Sequence, residues 1–338
     1  MPYFEEVPSV ARLGPKHGWR LKSWSGFGSN AVLAISAPWL DREHPDKHGV
    51  QLRRLLPVLQ GLVNTARAFA SHEHATIGVF WDVCCIPRII PPAPSPDKWR
   101  YLGGISEVSP DKWRAEPPPP PAPAELARIE RGLLDHARCL AHSAIHVLLV
   151  TDVPTGRTYT NKRPHAERGW SFYEEQLASL LKFDDCLWDL GKLEYPSVKL
   201  ELQKGVPSYA FLFKRLARHR RPPMCPAQLA TKLRSGVLHF DTPADAERAI
   251  KLYGDVFVET FDTFFDSFPG RTMILTYKDR GWNDEGAATL AETLNYAATQ
   301  CTFPREGLIV HALSGNSFGK DAIALLKASV KKTRLKLK

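Results

Sequence analysis

The segment Arg168-Gly-Trp170-Ser-Phe-Tyr-Glu174 contains an indole and a carboxylate at a spacing that could carry chemistry. Trp170 and Glu174 are four residues apart, so on a helix their side chains share one face. A carboxylate in a cleft can stabilise positive charge that develops on a substrate. The structural alternative is that Trp170 anchors the helix in the core and Glu174 is a first-turn acid favoured by the helix dipole. Glu175 is adjacent, and the sequence leaves open which acid faces the cleft.

Short apolar runs alternate with amphipathic stretches around this segment. Strands are predicted over residues 31–36, 76–81, 144–150 and 186–190. Helices are predicted over residues 50–69, 124–141 and 169–182. This alternation predicts an α/β fold of flavodoxin-like layout, with a parallel sheet covered by helices on both faces.

Ligands of parallel sheets bind outside the carboxyl ends of the strands. The loops that follow Ser36, Asp82 and Asp152 therefore meet at one edge of the predicted sheet. The helix of Trp170 and Glu174 begins after the last of these loops, so its shared face can look into a cleft at that edge. The candidate site is expected there.

The order of elements from Ala31 to Leu190, about half of the chain, resembles a TIR (Toll/interleukin receptor) domain. TIR domains carry Trp-Cys-x-x-Glu at the start of the corresponding helix, which aligns with Trp170 to Glu174; here Ser171 replaces the Cys. In the NAD-cleaving members of the family this Glu is the catalytic carboxylate. The first strand departs from the family pattern, because it ends Ser36-Ala-Pro-Trp39.

The resemblance implies that Glu174 stabilises the oxocarbenium-like state formed when the nicotinamide-ribose bond breaks. NAD would then be a substrate, with no resident cofactor or metal. The other residues that the resemblance places in the pocket are Ser36, Trp39 for stacking on a flat ring, Arg42 for the pyrophosphate, Asp82 for a ribose hydroxyl and Trp170 as a wall.

Four regions are predicted along the chain. Residues 1–29 form an N-terminal extension, residues 30–195 the TIR-like domain, residues 196–268 a helical connector and residues 269–338 a C-terminal part with a basic tail. A Pro-rich insertion over residues 86–124 interrupts the TIR-like domain, since its prolines are incompatible with regular helix or a central strand. Inside it Ser-Pro-Asp-Lys-Trp-Arg occurs twice, which suits either a docking loop or a tolerated surface insertion.

Two C-terminal segments repeat a strand, turn and helix order. Met273-Ile-Leu-Thr with residues 283–290 parallels Leu308-Ile-Val-His with residues 318–325, and the pattern resembles leucine-rich repeats. The resemblance implies that this part and the Pro-rich loop bind protein partners or mediate self-association.

Composition sets limits on the class of protein. The 338 residues are 43% hydrophobic and 24% charged, as in soluble globular proteins. The start of the chain lacks a signal-peptide pattern and no apolar run is long enough to span a membrane, so a cytoplasmic location is expected.

The six scattered cysteines are interpreted as buried free thiols. The net charge of +9 concentrates over residues 214–221 and 331–338, interpreted as a solvated face and a frayed terminus, since neither carries a strong nucleic-acid motif.

Two functional hypotheses follow. The first is an intracellular signalling or defence enzyme that cleaves NAD with Glu174, a possible NAD glycohydrolase. The second is a non-enzymatic TIR-like adaptor or scaffold that acts through protein assembly. A further alternative is a hydrolase with Cys84 as nucleophile and His146 as base, although no sequence pattern brings these two residues together.

Overall fold

The computed structural model describes residues 30–41, 45–46, 48–70, 76–82, 99–101, 113–115, 122–143, 145–154, 159–182, 186–193, 209–266, 273–302, 308–332 and 336–338. Everything stated below about the structure concerns these residues.

The larger sheet has four strands, all parallel. They are β1 (Asn30–Ser36), β2 (Thr76–Trp81), β5 (His146–Leu149) and β6 (Leu187–Asp189), in the spatial order β2-β1-β5-β6. Consecutive residues of β1 and β5 are buried, so both faces of the central strands are covered. The predicted α/β class with a parallel sheet is confirmed.

Three helices pack around this sheet. They are α1 (Val50–Ala70), α2 (Pro123–Ala141) and α3 (Gly169–Ser179). Helix α1 begins where the Asp46 carboxylate accepts the backbone N–H groups of Val50 and Leu52, as expected of an acid at a helix start. Helix α2 begins with a proline, whose missing N–H is harmless in the first turn.

Helix α3 ends three residues earlier than predicted because the following residues bond elsewhere. The Leu180 carbonyl accepts hydrogen bonds from Tyr277 Oη at 3.0 Å and from Arg220 Nη1 at 3.3 Å. The buried Lys182 ammonium donates to the carbonyl oxygens of His142 and Ile145. The end of α3 is thus tied to the loop before β5 and to the C-terminal part.

The described part of the connector, residues 209–266, is rich in helix. It contains α4 (Tyr209–Leu216), α5 (Pro226–Arg234) and α6 (Pro243–Asp266). Phe257 and Phe261 of α6 are fully buried with ring centroids 4.8 Å apart, so they belong to the core.

The first basic segment is not a solvated face, contrary to the sequence interpretation. Arg220 is buried and donates to the carbonyl oxygens of Leu180 and Thr276. Arg218 bridges Glu175 and Asp189. Among the lysines and arginines of this segment, Lys214 and Arg215 at the end of α4 are the exposed ones. Most of this positive charge therefore holds the connector on the sheet.

The C-terminal part forms a second parallel sheet, in the order β7-β8-β9. Its elements are β7 (Met273–Thr276), α7 (Asp284–Gln300), β8 (Leu308–His311), α8 (Lys320–Lys332) and β9 (Lys336–Leu337). The prediction of a frayed basic terminus is wrong, because Lys338 bonds through its backbone to Val310 and Ala312.

Two short strands occur within the Pro-rich insertion. β3 (Trp99–Tyr101) pairs antiparallel with β4 (Trp113–Ala115), so that Arg100 lies opposite Arg114. The last two residues of each copy of the duplicated motif, Trp99-Arg100 and Trp113-Arg114, therefore lie in paired strands outside the larger sheet.

Cys139, Cys186 and Cys225 are reduced and buried, in agreement with the sequence interpretation, whereas Cys301 is only partly buried and Cys84 and Cys85 lie outside the described ranges. None of the helices described is both long and apolar enough to cross a membrane.

Candidate active site at the carboxyl edge of the sheet

Ser36 and Glu174 meet at the carboxyl end of β1. The Ser36 hydroxyl donates a hydrogen bond of 2.5 Å to Glu174 Oε2, which joins the last residue of β1 to helix α3. A hydrogen bond to a carboxylate favours its ionised form and fixes its rotamer. The predicted catalytic acid and the predicted strand-end residue are therefore in direct contact.

The two adjacent acids of α3 have different surroundings. The Glu175 side chain is 2% exposed and lies 2.5 Å from Arg218 Nη2 and 2.9 Å from Arg221 Nε. The Glu174 side chain is 13% exposed, and its carboxylate lies beside Ser36. Glu175 is thus committed to a buried ion pair, and Glu174 is the acid that reaches the edge of the sheet.

Trp39 and Asp82 form a second contact between predicted site residues. The Trp39 indole Nε1 donates to Asp82 Oδ2 at 3.3 Å, across the loops that follow β1 and β2. Both side chains are partly exposed. This pair places an aromatic face and a carboxylate at the same sheet edge as Ser36.

The Arg168 guanidinium holds the loop after β1 in place. It donates to the carbonyl oxygens of Trp39, Asn161 and Arg163, the last two at 3.0 Å and 2.9 Å. Burial lowers the pKa of Arg168 to about 10, which leaves the group charged at neutral pH. The residue that immediately precedes α3 therefore joins the loop after β1 to the loop after β5.

Further hydrogen bonds fix the same two loops. Asp41 Oδ1 accepts from the backbone N–H of Thr160 at 2.9 Å and from its hydroxyl at 3.0 Å. Gln51 Nε2, at the start of α1, donates to the Pro38 carbonyl at 2.8 Å. Loops held at several points keep the side chains they carry in one arrangement, as a site requires.

Trp170 makes its ring contacts with a neighbour on α3 and with the loop before α6. Its indole packs edge-on against Tyr173 and Phe240, with centroids 5.6 Å and 5.8 Å apart. A Cβ atom at Gly169 would overlap the Phe240 ring, so glycine is needed for this close approach. These contacts anchor the start of α3, and the role of Trp170 as a pocket wall stays a prediction.

Three predicted candidates lie outside the described residues or away from this edge. Arg42 and Cys84 are not among the residues described. His146 is buried at the start of β5 and packs against Trp188, and burial followed by the charge of Lys182 lowers its pKa to about 3. The structure does not bring His146 to the Ser36–Glu174 pair.

Sequence reasoning missed His136, which lies on α2 beside Glu174. Its Nδ1 is 3.9 Å from Glu174 Oε1, and its ring stacks on Phe80 of β2 with centroids 5.1 Å apart. The signal was present, because His136 falls three residues after Leu133 and four before Leu140, on the apolar side of the helix. A histidine on such a face points into the interior, where its partner comes from another element.

Tyr173 places a neutral hydroxyl near the same carboxylate. Burial, and next the charge of Glu174, raise the pKa of Tyr173 well above 10. The residue stays protonated across the physiological pH range and adds no charge to the site.

Within the part of the chain that the structure describes, no group of three or more His, Cys, Asp or Glu side chains is arranged to hold a metal ion. The described elements define an α/β protein whose parallel sheet carries a hydroxyl, an indole and carboxylates at its carboxyl edge. The chain matches no protein-family model, no curated protein and no solved structure.

Proposed function

We propose that this protein is a TIR-like enzyme that cleaves the nicotinamide-ribose bond of NAD, with Glu174 as the catalytic carboxylate. The observation that carries the proposal is the Ser36–Glu174 hydrogen bond of 2.5 Å at the carboxyl end of β1. It supports the proposal because ligands of parallel sheets bind at that edge, and because the resemblance to TIR domains aligns Glu174 with their catalytic acid.

The reaction consumes NAD and water. The bond between the ribose C1′ and the nicotinamide nitrogen breaks, nicotinamide leaves with the bonding electrons, and positive charge develops on the ribose ring. Water then adds at C1′ and one proton is released, which gives ADP-ribose. The ionised Glu174 carboxylate lowers the barrier by stabilising the developing positive charge, and the Ser36 hydroxyl keeps that carboxylate ionised and oriented.

The neighbouring residues are assigned to binding. The Trp39 indole supplies a flat face for a ring of the nucleotide, and Asp82, hydrogen-bonded to it at 3.3 Å, accepts a ribose hydroxyl. Arg42 is assigned to the pyrophosphate on the basis of the family resemblance. Arg168 does not touch the substrate in this scheme, because its guanidinium is used to fix the carbonyl of Trp39.

The finer fold assignment belongs to the same proposal. The order β2-β1-β5-β6 supports a flavodoxin-like layout. The C-terminal part supports a leucine-rich-like assignment, because the Asn316 side chain bonds the backbone of both turns, at Tyr277 and Trp282 on one side and Ala312 on the other. We assign this part, with the Pro-rich loop, to protein partners or self-association, and we place the protein in the cytoplasm.

The test is to incubate the purified protein with NAD at high protein concentration and to measure free nicotinamide by chromatography. Wild type is expected to release nicotinamide and Glu174→Ala to release none. Glu167→Ala is the matched control, since Glu167 is an exposed acid seven residues earlier on the same segment. Activity that survives in Glu174→Ala would remove the proposed catalyst.

An absence of nicotinamide release from the concentrated wild-type protein would overturn the enzymatic proposal. The adaptor hypothesis then becomes the better one. Its expected signature is assembly that depends on protein concentration and is unaffected by Glu174→Ala.

A further inference from the structure

His136 is held rigidly beside the proposed catalytic acid. It lies on the buried side of α2, with 4% of its surface exposed, and its ring is nearly parallel to that of Phe80, at an interplanar angle of 12°. Helix α2 packs on α3, so the imidazole faces the helix that carries Glu174.

The two oxygens of the Glu174 carboxylate face different groups. Oε2 accepts the Ser36 hydroxyl, and Oε1 lies 3.9 Å from His136 Nδ1. A hydroxyl keeps the same charge at every relevant pH. An imidazole can take up a proton and become a cation, so the partner of Oε1 can change its charge with pH.

Several charged groups on and around this face have partners of their own. On α2, Asp135 lies 3.1 Å from Arg138 Nη1 and 3.9 Å from Arg131 Nε. From α6, Glu259 lies 3.0 Å from Arg138 Nε. From α3, the Tyr173 hydroxyl remains neutral. Beyond β2, the Asp82 carboxylate accepts the Trp39 indole N–H.

We infer that His136 is a positioning residue that sets the lower pH limit of NAD cleavage by controlling the charge presented by Glu174. The inference rests on the proposed function. A neutral imidazole leaves the carboxylate charge available to the oxocarbenium-like state. A protonated imidazole pairs with Oε1, neutralises part of that charge and holds the carboxylate against α2, so cleavage slows.

The first experiment measures the rate of nicotinamide release against pH for wild type and His136→Gln. The wild-type rate is expected to fall on the acid side of the profile as the His136 imidazole gains its proton. In His136→Gln the fall is expected at a lower pH, because an uncharged amide does not neutralise the carboxylate. His219→Gln is the control, because His219 is an exposed histidine of the connector and its loss should leave the profile unchanged.

The second experiment measures the pairing without an activity readout. The His136 ring resonances are followed by NMR during a pH titration of wild type and Glu174→Gln. Loss of the carboxylate should lower the His136 titration midpoint, because an opposite charge favours the imidazolium. This titration also decides the question if His136→Gln fails to fold.

The outcomes separate the inference from the proposed function. An active protein whose acid limit is the same in wild type and His136→Gln overturns the inference and leaves the proposed function standing. A wild-type protein without activity at any pH overturns the proposed function. An unchanged His136 midpoint in Glu174→Gln overturns the pairing itself.

Discussion

Arg218 connects the sheet, helix α3 and the connector, and its replacement by Met is expected to weaken the fold substantially. Its Nη1 lies 2.5 Å from Asp189 Oδ2 and its Nη2 lies 2.5 Å from Glu175 Oε1. Burial alone would lower the pKa of Arg218, but the two acids outweigh burial and raise it. Arg218→Met would leave two buried carboxylates without their shared cation.

The size of the effect follows from what each acid keeps. Breaking a buried ion pair by removing one partner costs about 3–5 kcal/mol. Glu175 keeps Arg221 Nε at 2.9 Å, and Asp189 keeps the hydroxyl of Thr151 and the backbone N–H of Gly191. We therefore expect Arg218→Met to lower the free energy of unfolding by about 3 kcal/mol, at the lower end of that range.

The assay is urea unfolding followed by circular dichroism. With a slope of about 3 kcal/mol per molar urea, the midpoint should fall by about 1 M in Arg218→Met. Arg234→Met is the matched control. Arg234 and Glu247 are 2.6 Å apart, which is nearly as close as the Arg218 pairs, but their side chains are 57% and 58% exposed. The midpoint of this variant should not move, because exposed ion pairs add little stability. Equal shifts in both variants would refute the argument from burial.

Two other changes test the packing and the buried histidines. Gly169→Ala should lower the free energy of unfolding by about 1–3 kcal/mol, because the new methyl group meets the Phe240 ring. Adding Phe240→Leu should restore part of the loss. Thermal melts in which Phe240→Leu gives no rescue would contradict the contact. Stability should fall as the pH drops from 6.5 towards 4, because burial lowers the pKa of His142 and His165 to about 4 and of His146 to about 3, so the unfolded chain binds more protons than the folded one. His146→Phe should make this dependence shallower, and an unchanged slope in urea melts at several pH values would count against it.

The larger sheet was predictable because its strands are short apolar runs. Residues 31–36 and 76–81 were expected as strands, and β1 and β2 occupy residues 30–36 and 76–81. Short apolar runs that alternate with amphipathic helices favour a parallel sheet covered on both faces, and β1 is buried in this way, while β2 at the edge of the sheet leaves Val79 exposed. Local pattern therefore sufficed for the class of fold and for the position of its carboxyl edge.

Partners that come from distant parts of the chain could not be predicted. Glu174 and Glu175 are neighbours in sequence, yet one contacts Ser36 and the other contacts Arg218. The direction of each side chain depends on how α3 lies on the sheet, which is fixed by tertiary contacts such as Trp170 with Phe240. For the same reason the basic segment around Arg218 looked like a solvated face.

The contact between His136 and Glu174 was hidden in the same way. The helical pattern places His136 on the apolar side of α2, but only the packing of α2 against α3 and β2 supplies its partners. The sequence analysis did not predict β9, the third strand of the C-terminal sheet. Its two residues, Lys336 and Leu337, are too few to show the alternation of a strand.

The most direct test of the account is the single-turnover rate of nicotinamide release from NAD by wild type, Glu174→Gln and Glu167→Gln at pH 8. Glu174→Gln keeps the shape of the side chain and removes its charge, so the rate should fall by about 100-fold or more. Glu167→Gln should retain the wild-type rate. A Glu174→Gln protein that releases nicotinamide as fast as Glu167→Gln would contradict the assignment of Glu174 as the catalytic carboxylate.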